Sequence, residues 1–157
     1  MKLLLRLAIL IPISLFTVLR CKAASCSVST SGVAFGQYDP LNGQKVETSG
    51  NITVTCTGLN KESVSYQIRL SAGNGTYANR KFSSSLSAAA YNLYRNMIRT
   101  EIWGDGSSGT VIVTDSYRLD SRGTAVRTYT VYGQMNGGQG QTAANNYLEN
   151  LTVTLTY

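Results

Sequence analysis

Few residues of this 157-residue chain have a spacing that could do chemistry. Gly104-Asp105-Gly106-Ser107-Ser108-Gly109 fits the G-x-G-x-x-G pattern of a dinucleotide loop. That chemistry needs a helix next, whose first amides hold the pyrophosphate. Thr110-Val111-Ile112-Val113 follows instead, a β-forming run, so the glycines read as a turn. Glu101, Asp105, Asp115 and Asp120 gather carboxylates in one stretch, as glycoside chemistry would require. Their Gly, Ser and Arg neighbours read as solvated turns instead. There is no histidine, the usual base for a Ser or Cys nucleophile. Three cysteines without histidine make a poor zinc set. The expectation is a protein that is not an enzyme and that holds no cofactor and no metal. Ten tyrosines and recurrent arginines remain, residues that exposed sugar-binding surfaces use and that strands also favour. Asn51-Ile52-Thr53, Asn74-Gly75-Thr76 and Asn150-Leu151-Thr152 match a glycosylation pattern, but two of them fall on strand-like stretches and read as chance.

The elements that position these residues begin after a leader. Lys2 and Arg6 precede an apolar run from Leu7 to Leu19, and the small-residue region Cys21-Lys22-Ala23-Ala24-Ser25 follows. This order is that of a secretory signal peptide, and the run is shorter than the roughly 20 residues that span a bilayer. Residues 1–23 are therefore expected to be removed, with cleavage after Ala23 or Ala24. No stable membrane anchor is expected, and residues 24–157 should form one domain. Loss of Lys2, Arg6, Arg20 and Lys22 lowers the formal net charge from +6 to +2, ten basic residues against eight acidic. So weak a charge argues against a nucleic-acid partner. Cleavage also leaves two cysteines, Cys26 and Cys56, an even number in an oxidising compartment, and they are expected to pair. Such a bridge closes a loop of about 31 residues and stabilises by about 3–4 kcal/mol.

The remaining chain reads as strands and turns. Ile52, Val54 and Cys56 alternate with Asn51, Thr53 and Thr55, a half-buried strand with Cys56 facing inward. Tyr66, Ile68 and Leu70 alternate with Gln67 and Arg69. Further strands are expected at 27–36, 91–94, 98–103, 110–114 and 124–135, while 83–90 reads as either loop or short helix. Asp39-Pro40-Leu41-Asn42-Gly43, Gly73-Asn74-Gly75 and Asn136-Gly137-Gly138 supply turns. Seven or eight short strands favour an all-β antiparallel sandwich, and with one disulfide an immunoglobulin-like one. The last strand runs to the end of the sequence with Leu151, Val153, Leu155 and Tyr157 on one face. Either it is flanked by strands of its own chain, or it is an edge that another protein completes.

An ordered series of short segments carries a family likeness. It runs from Cys26 through Val33-Ala34-Phe35-Gly36, Tyr38-Asp39-Pro40 and Ile52-Thr53-Val54-Thr55-Cys56 to Tyr66-Gln67-Ile68-Arg69-Leu70. It continues with Tyr91-Asn92-Leu93-Tyr94, Trp103-Gly104-Asp105-Gly106, Val131-Tyr132-Gly133 and Tyr147-Leu148-Glu149-Asn150-Leu151-Thr152-Val153-Thr154. In these the chain resembles the spore coat protein U domain, found in subunits of archaic chaperone–usher pili and in some coat proteins. The resemblance implies an incomplete immunoglobulin-like sandwich missing its last strand. A periplasmic chaperone would lend that strand, and the neighbouring pilus subunit, delivered through the outer-membrane usher, would replace it. Localisation would be secreted, through the periplasm to the cell surface or fimbrium. By the same analogy Leu151, Val153, Leu155 and Tyr157 line one side of the groove, and Val33 and Phe35 line the other. Cys26 follows the expected cleavage site so closely that no donor extension precedes it, which suits a tip or terminal subunit. A self-contained spore or cell coat protein and a secreted carbohydrate-binding module are the alternatives.

Overall fold

The computed structural model describes residues 23–157 apart from 40, 42, 84–87 and 141–148. Most of the expected signal peptide, the 84–87 stretch and Tyr147-Leu148 lie outside the described residues. Eight strands form: β1 (Ser25–Thr30), β2 (Val46–Thr57), β3 (Ser63–Leu70), β4 (Arg80–Ser83), β5 (Ala88–Tyr94), β6 (Val113–Arg118), β7 (Thr124–Met135) and β8 (Val153–Thr156). They make two antiparallel sheets, one ordered β1-β2-β7-β5-β4 and one ordered β6-β3-β8. This is an all-β immunoglobulin-like sandwich with no helix among the described residues.

Period-two patterning explains the core. On β2, Ile52, Val54 and Cys56 are buried, and on β3 Val64, Tyr66, Ile68 and Leu70 are buried, while their neighbours face solvent or the rim. Each such apolar side chain taken fully from water contributes about 1.5–3 kcal/mol. Cys26 and Cys56 are bonded, and they sit directly opposite one another on β1 and β2, with Cα atoms 4.0 Å apart. The bridge therefore ties an edge strand to the middle of its sheet.

Of the strand expected at 27–36 only the part up to Thr30 forms β1, and residues 31–36 cross the larger sheet without strand pairing; three further stretches depart from the sequence reading. Residues 98–103 form no strand. The Asn96 carboxamide oxygen accepts from the amides of Thr100 (3.0 Å) and Glu101 (3.2 Å), so it stabilises a turn whose Ile98 is 74% exposed. Only isolated bridges remain, Tyr94 to Ile102 and Trp103 to Val111, and they carry Trp103 into the core. The strand expected at 110–114 runs instead over β6, because Gly104–Thr110 is used up in turns that the Thr110 hydroxyl closes on Ser107 O (2.7 Å). Of the stretch 83–90, Ser83 ends β4 and residues 88–90 begin β5.

One buried charge fastens these loops. Arg80 on β4 is fully buried and donates to Ser71 O (2.9 Å), Asn92 Oδ1 (2.7 Å) and Trp103 O (2.7 Å). Burial pulls its pKa below the ordinary arginine value. Those three acceptors replace the water the guanidinium gives up.

Candidate functional site

The site lies where the two sheets face each other without being joined, between β1 and β8. In an antiparallel ladder the N–H and C=O of one residue point to the same side, and successive residues alternate. Ser71 N donates to Thr152 O (3.0 Å), so Thr152, Thr154 and Thr156 turn their main chain towards β3. Val153 and Leu155 turn theirs away. Leu70, opposite Val153, accordingly sends its N–H elsewhere, to Gly104 O (3.0 Å). β8 ends its sheet, and among the described residues no strand pairs with its outer side.

The same parity holds on β1. Ser31 N donates to Asn51 O (3.0 Å), so Ser25, Ser27 and Ser29 bond towards β2, and Cys26, Val28 and Thr30 face the gap. β1 also ends its sheet, and it approaches β8 without pairing with it. Among the described residues, two strand edges thus present main-chain groups without a strand partner to one seam.

The chain after β1 closes part of that seam. It crosses the inner face of the larger sheet, where Val33 and Phe35 pack against Gly133, and a side chain at Gly133 would strike both of them. Gly50 likewise leaves room for the Gly32 carbonyl. The crossing is held by Thr48 Oγ1, which donates to Ala34 O (2.8 Å).

Between this segment and β8 opens a cavity of about 250 Å³. Thr30, Val33 and Phe35 form one wall, and Leu151 and Val153 the other. Ile52, Leu70, Leu93 and Val131 line it from within the core. Its remaining lining includes Phe82, Tyr91 and Glu149. Phe82 and Tyr91 stack at 4.1 Å, and Phe35 meets both rings edge-on at 5.8 Å. The Glu149 carboxylate accepts from the Tyr91 hydroxyl and from the Asn74 amide. Burial, and next the Glu149 contact, push the Tyr91 hydroxyl well above its ordinary pKa, so it stays a donor.

Four residues expected at the groove therefore sit around one cavity: Val33, Phe35, Leu151 and Val153. Leu155 is half-buried and packs on the core further along β8, and Tyr157 is 61% exposed. Sequence reading missed Phe82, Tyr91 and Glu149. The signal for Glu149 is a lone carboxylate two residues ahead of an alternating apolar run, Leu151-Thr152-Val153-Thr154-Leu155. Phe82 stands next to the weakly patterned serines, where no period marks a strand.

The carboxylates considered for catalysis are each used locally. Asp105 accepts from Ser107 N (2.8 Å) and Oγ (2.6 Å), which hold its pKa below the ordinary value. Asp120 accepts from the amides of Thr124 (2.9 Å) and Arg122 (2.8 Å), Glu101 pairs with Arg95 (2.7 Å), and Asp115 accepts from Tyr129 (2.5 Å). The described residues contain no cluster of three metal-ligating side chains.

Fold and seam together define a disulfide-tied, immunoglobulin-like β-sandwich domain whose β1 and β8 edges are not joined. A sequence model of the Spore Coat Protein U domain matches residues 13–154, and the chain belongs to that family. Its fold is similar to a chain in the crystal structure of the CsuC–CsuE chaperone–tip adhesion subunit pre-assembly complex, from the archaic chaperone–usher Csu pili of Acinetobacter baumannii. The TM-score is 0.54 at 16% identity, over 86% of this chain and 40% of that one. This chain thus spans less than half the length of that relative. Comparison with curated proteins gives no match.

Proposed function

We propose that this protein is a structural subunit of an archaic chaperone–usher pilus, completed by a strand that another protein adds at the β1–β8 seam. The observation that carries the reading is the outer edge of β8, where Val153 and Leu155 turn main-chain N–H and C=O groups into the seam beside half-buried apolar side chains. Buried main-chain groups without partners are costly, and strand addition satisfies them while covering apolar surface. The family and the kind of complex named for the similar structure support the same reading. The sandwich is then incomplete on its own. A periplasmic chaperone supplies the first strand, the outer-membrane usher passes the subunit on, and a neighbouring subunit supplies the final strand. Residues 1–23 act as the export signal. With Cys26 so near the cleavage site, the mature subunit accepts a strand without donating one and stands at the tip or another terminus, with an adhesive role there.

A urea melt of residues 24–157, disulfide intact, tests the reading. With a synthetic strand of alternating apolar residues at about 100 times its Kd, the transition should move by about 2.7 kcal/mol. A cooperative melt that the peptide leaves unchanged would mean a self-complete sandwich, and the coat-protein alternative would replace the pilus reading.

A further inference from the structure

The lining of the seam cavity is apolar or uncharged except at one point, Glu149. Its two oxygens accept from the Tyr91 hydroxyl and the Asn74 amide, both neutral donors, and among the described residues no cation lies within ion-pair distance of it. Arg80, whose charge interacts with Glu149, is fully buried and committed to Ser71, Asn92 and Trp103. Glu149 shares the cavity with the rings of Phe35, Phe82 and Tyr91, which pack on one another, and Tyr91 bonds to it. A carboxylate next to aromatic and aliphatic walls suits a long basic side chain. The methylene stem packs on the apolar wall, and the ammonium or guanidinium gains a charge-assisted hydrogen bond at the carboxylate. Rings within about 6 Å add attraction for the same cation.

We propose that Glu149 makes the seam selective for an incoming strand that carries a lysine or arginine at the position meeting this cavity, amid otherwise alternating apolar residues. This rests on the strand-addition reading and deepens it. Main-chain pairing along β8 accepts any extended segment, because N–H and C=O groups do not distinguish side chains. Glu149 supplies a point where side chains are distinguished.

The test uses the disulfide-intact protein and a blocked peptide of alternating apolar residues, with one lysine moved through each position in turn. One placement should bind about tenfold tighter than the all-apolar parent at low salt, the size of one charge-assisted hydrogen bond. The advantage should shrink at high salt, vanish when that lysine is acetylated, and fall to a ratio of one in Glu149→Gln. If every placement binds no better than the apolar parent, the cavity reads no charge and the inference fails while strand addition stands. If no peptide binds at all, both fail. Should Glu149→Gln not fold, acetylated against free lysine on the unaltered protein still decides the matter.

Discussion

Along β2 and β7, twelve residue pairs run from Val46 opposite Met135 to Thr57 opposite Thr124, and β1 and β5 cover the two outer sides of that ladder. Along β1 and β8 the same alternation of inward apolar and outward polar residues ends at a seam with no pairing across it. Ile52 and Val131 in the centre are 2% and 3% exposed, whereas Val28, Val153 and Leu155 at the seam are only half-buried. Identical local patterns thus reach different ends. Alternation specifies which face of a strand is apolar, and topology decides whether its edge finds a partner within the chain.

Three changes would sharpen this contrast. The largest effect should come from replacing Cys26 and Cys56 together by alanine, which releases β1, one wall of the seam, from the paired centre. The expected cost is about 3–4 kcal/mol in a urea melt. A melt within about 0.5 kcal/mol of the parent would show that β1 is held by its ladder alone. Proline substitution on β8 should next separate the two sides of one strand. Thr154→Pro removes an N–H that bonds to β3 and should cost about 1–3 kcal/mol. Val153→Pro removes an N–H that faces the seam. It should change the melt of the isolated protein less than Thr154→Pro does, yet weaken stabilisation by an added strand. Equal costs at the two positions would overturn the parity assigned to β8.

The smallest effect is expected away from the seam, where the sheets are bridged by a polar chain. The Tyr66 and Tyr129 hydroxyls lie 2.6 Å apart, and Tyr129 donates to Asp115. Burial, and next the Asp115 contact, push Tyr129 up to about 12, and burial pushes Tyr66 up as well. Both are raised above the unfolded value near 10, so their contribution is fully present below pH about 10; that of Tyr129 is lost as pH rises through about 12, and that of Tyr66 declines from the same starting point. The melt should therefore weaken over that window, and less steeply in Tyr129→Phe. A slope unchanged by that substitution would place the alkaline loss elsewhere.

Much of this was legible in the sequence, and the reasons differ by element. The alternation of Ile52, Val54 and Cys56, and of Tyr66, Ile68 and Leu70, gave strands and faces directly, because each strand buries one side only. The disulfide followed from the even number of cysteines that the expected signal cleavage leaves. Residues 98–103 misled because Ile98 and Ile102 share the period of a strand, while one Asn96 carboxamide is enough to fold that stretch into a turn. Arg80 gave no sign of its place, since the three acceptors that tolerate its burial come from Ser71, Asn92 and Trp103, distant in sequence. Pattern and family likeness single out Val33, Phe35, Leu151 and Val153, and these four line one cavity. Glu149 and the rings beside it depend on how loops meet, and no periodicity records that.

Trp103 is the chain's one tryptophan, it is fully buried, and its indole N–H donates to Ile68 O (3.2 Å). Ile68 lies directly opposite Leu155 on β8. The unmodified protein therefore carries a single indole fluorophore, excitable apart from its ten tyrosines, one hydrogen bond away from the strand pair beside the seam, so both unfolding and occupancy of that edge have an optical reporter built into the chain.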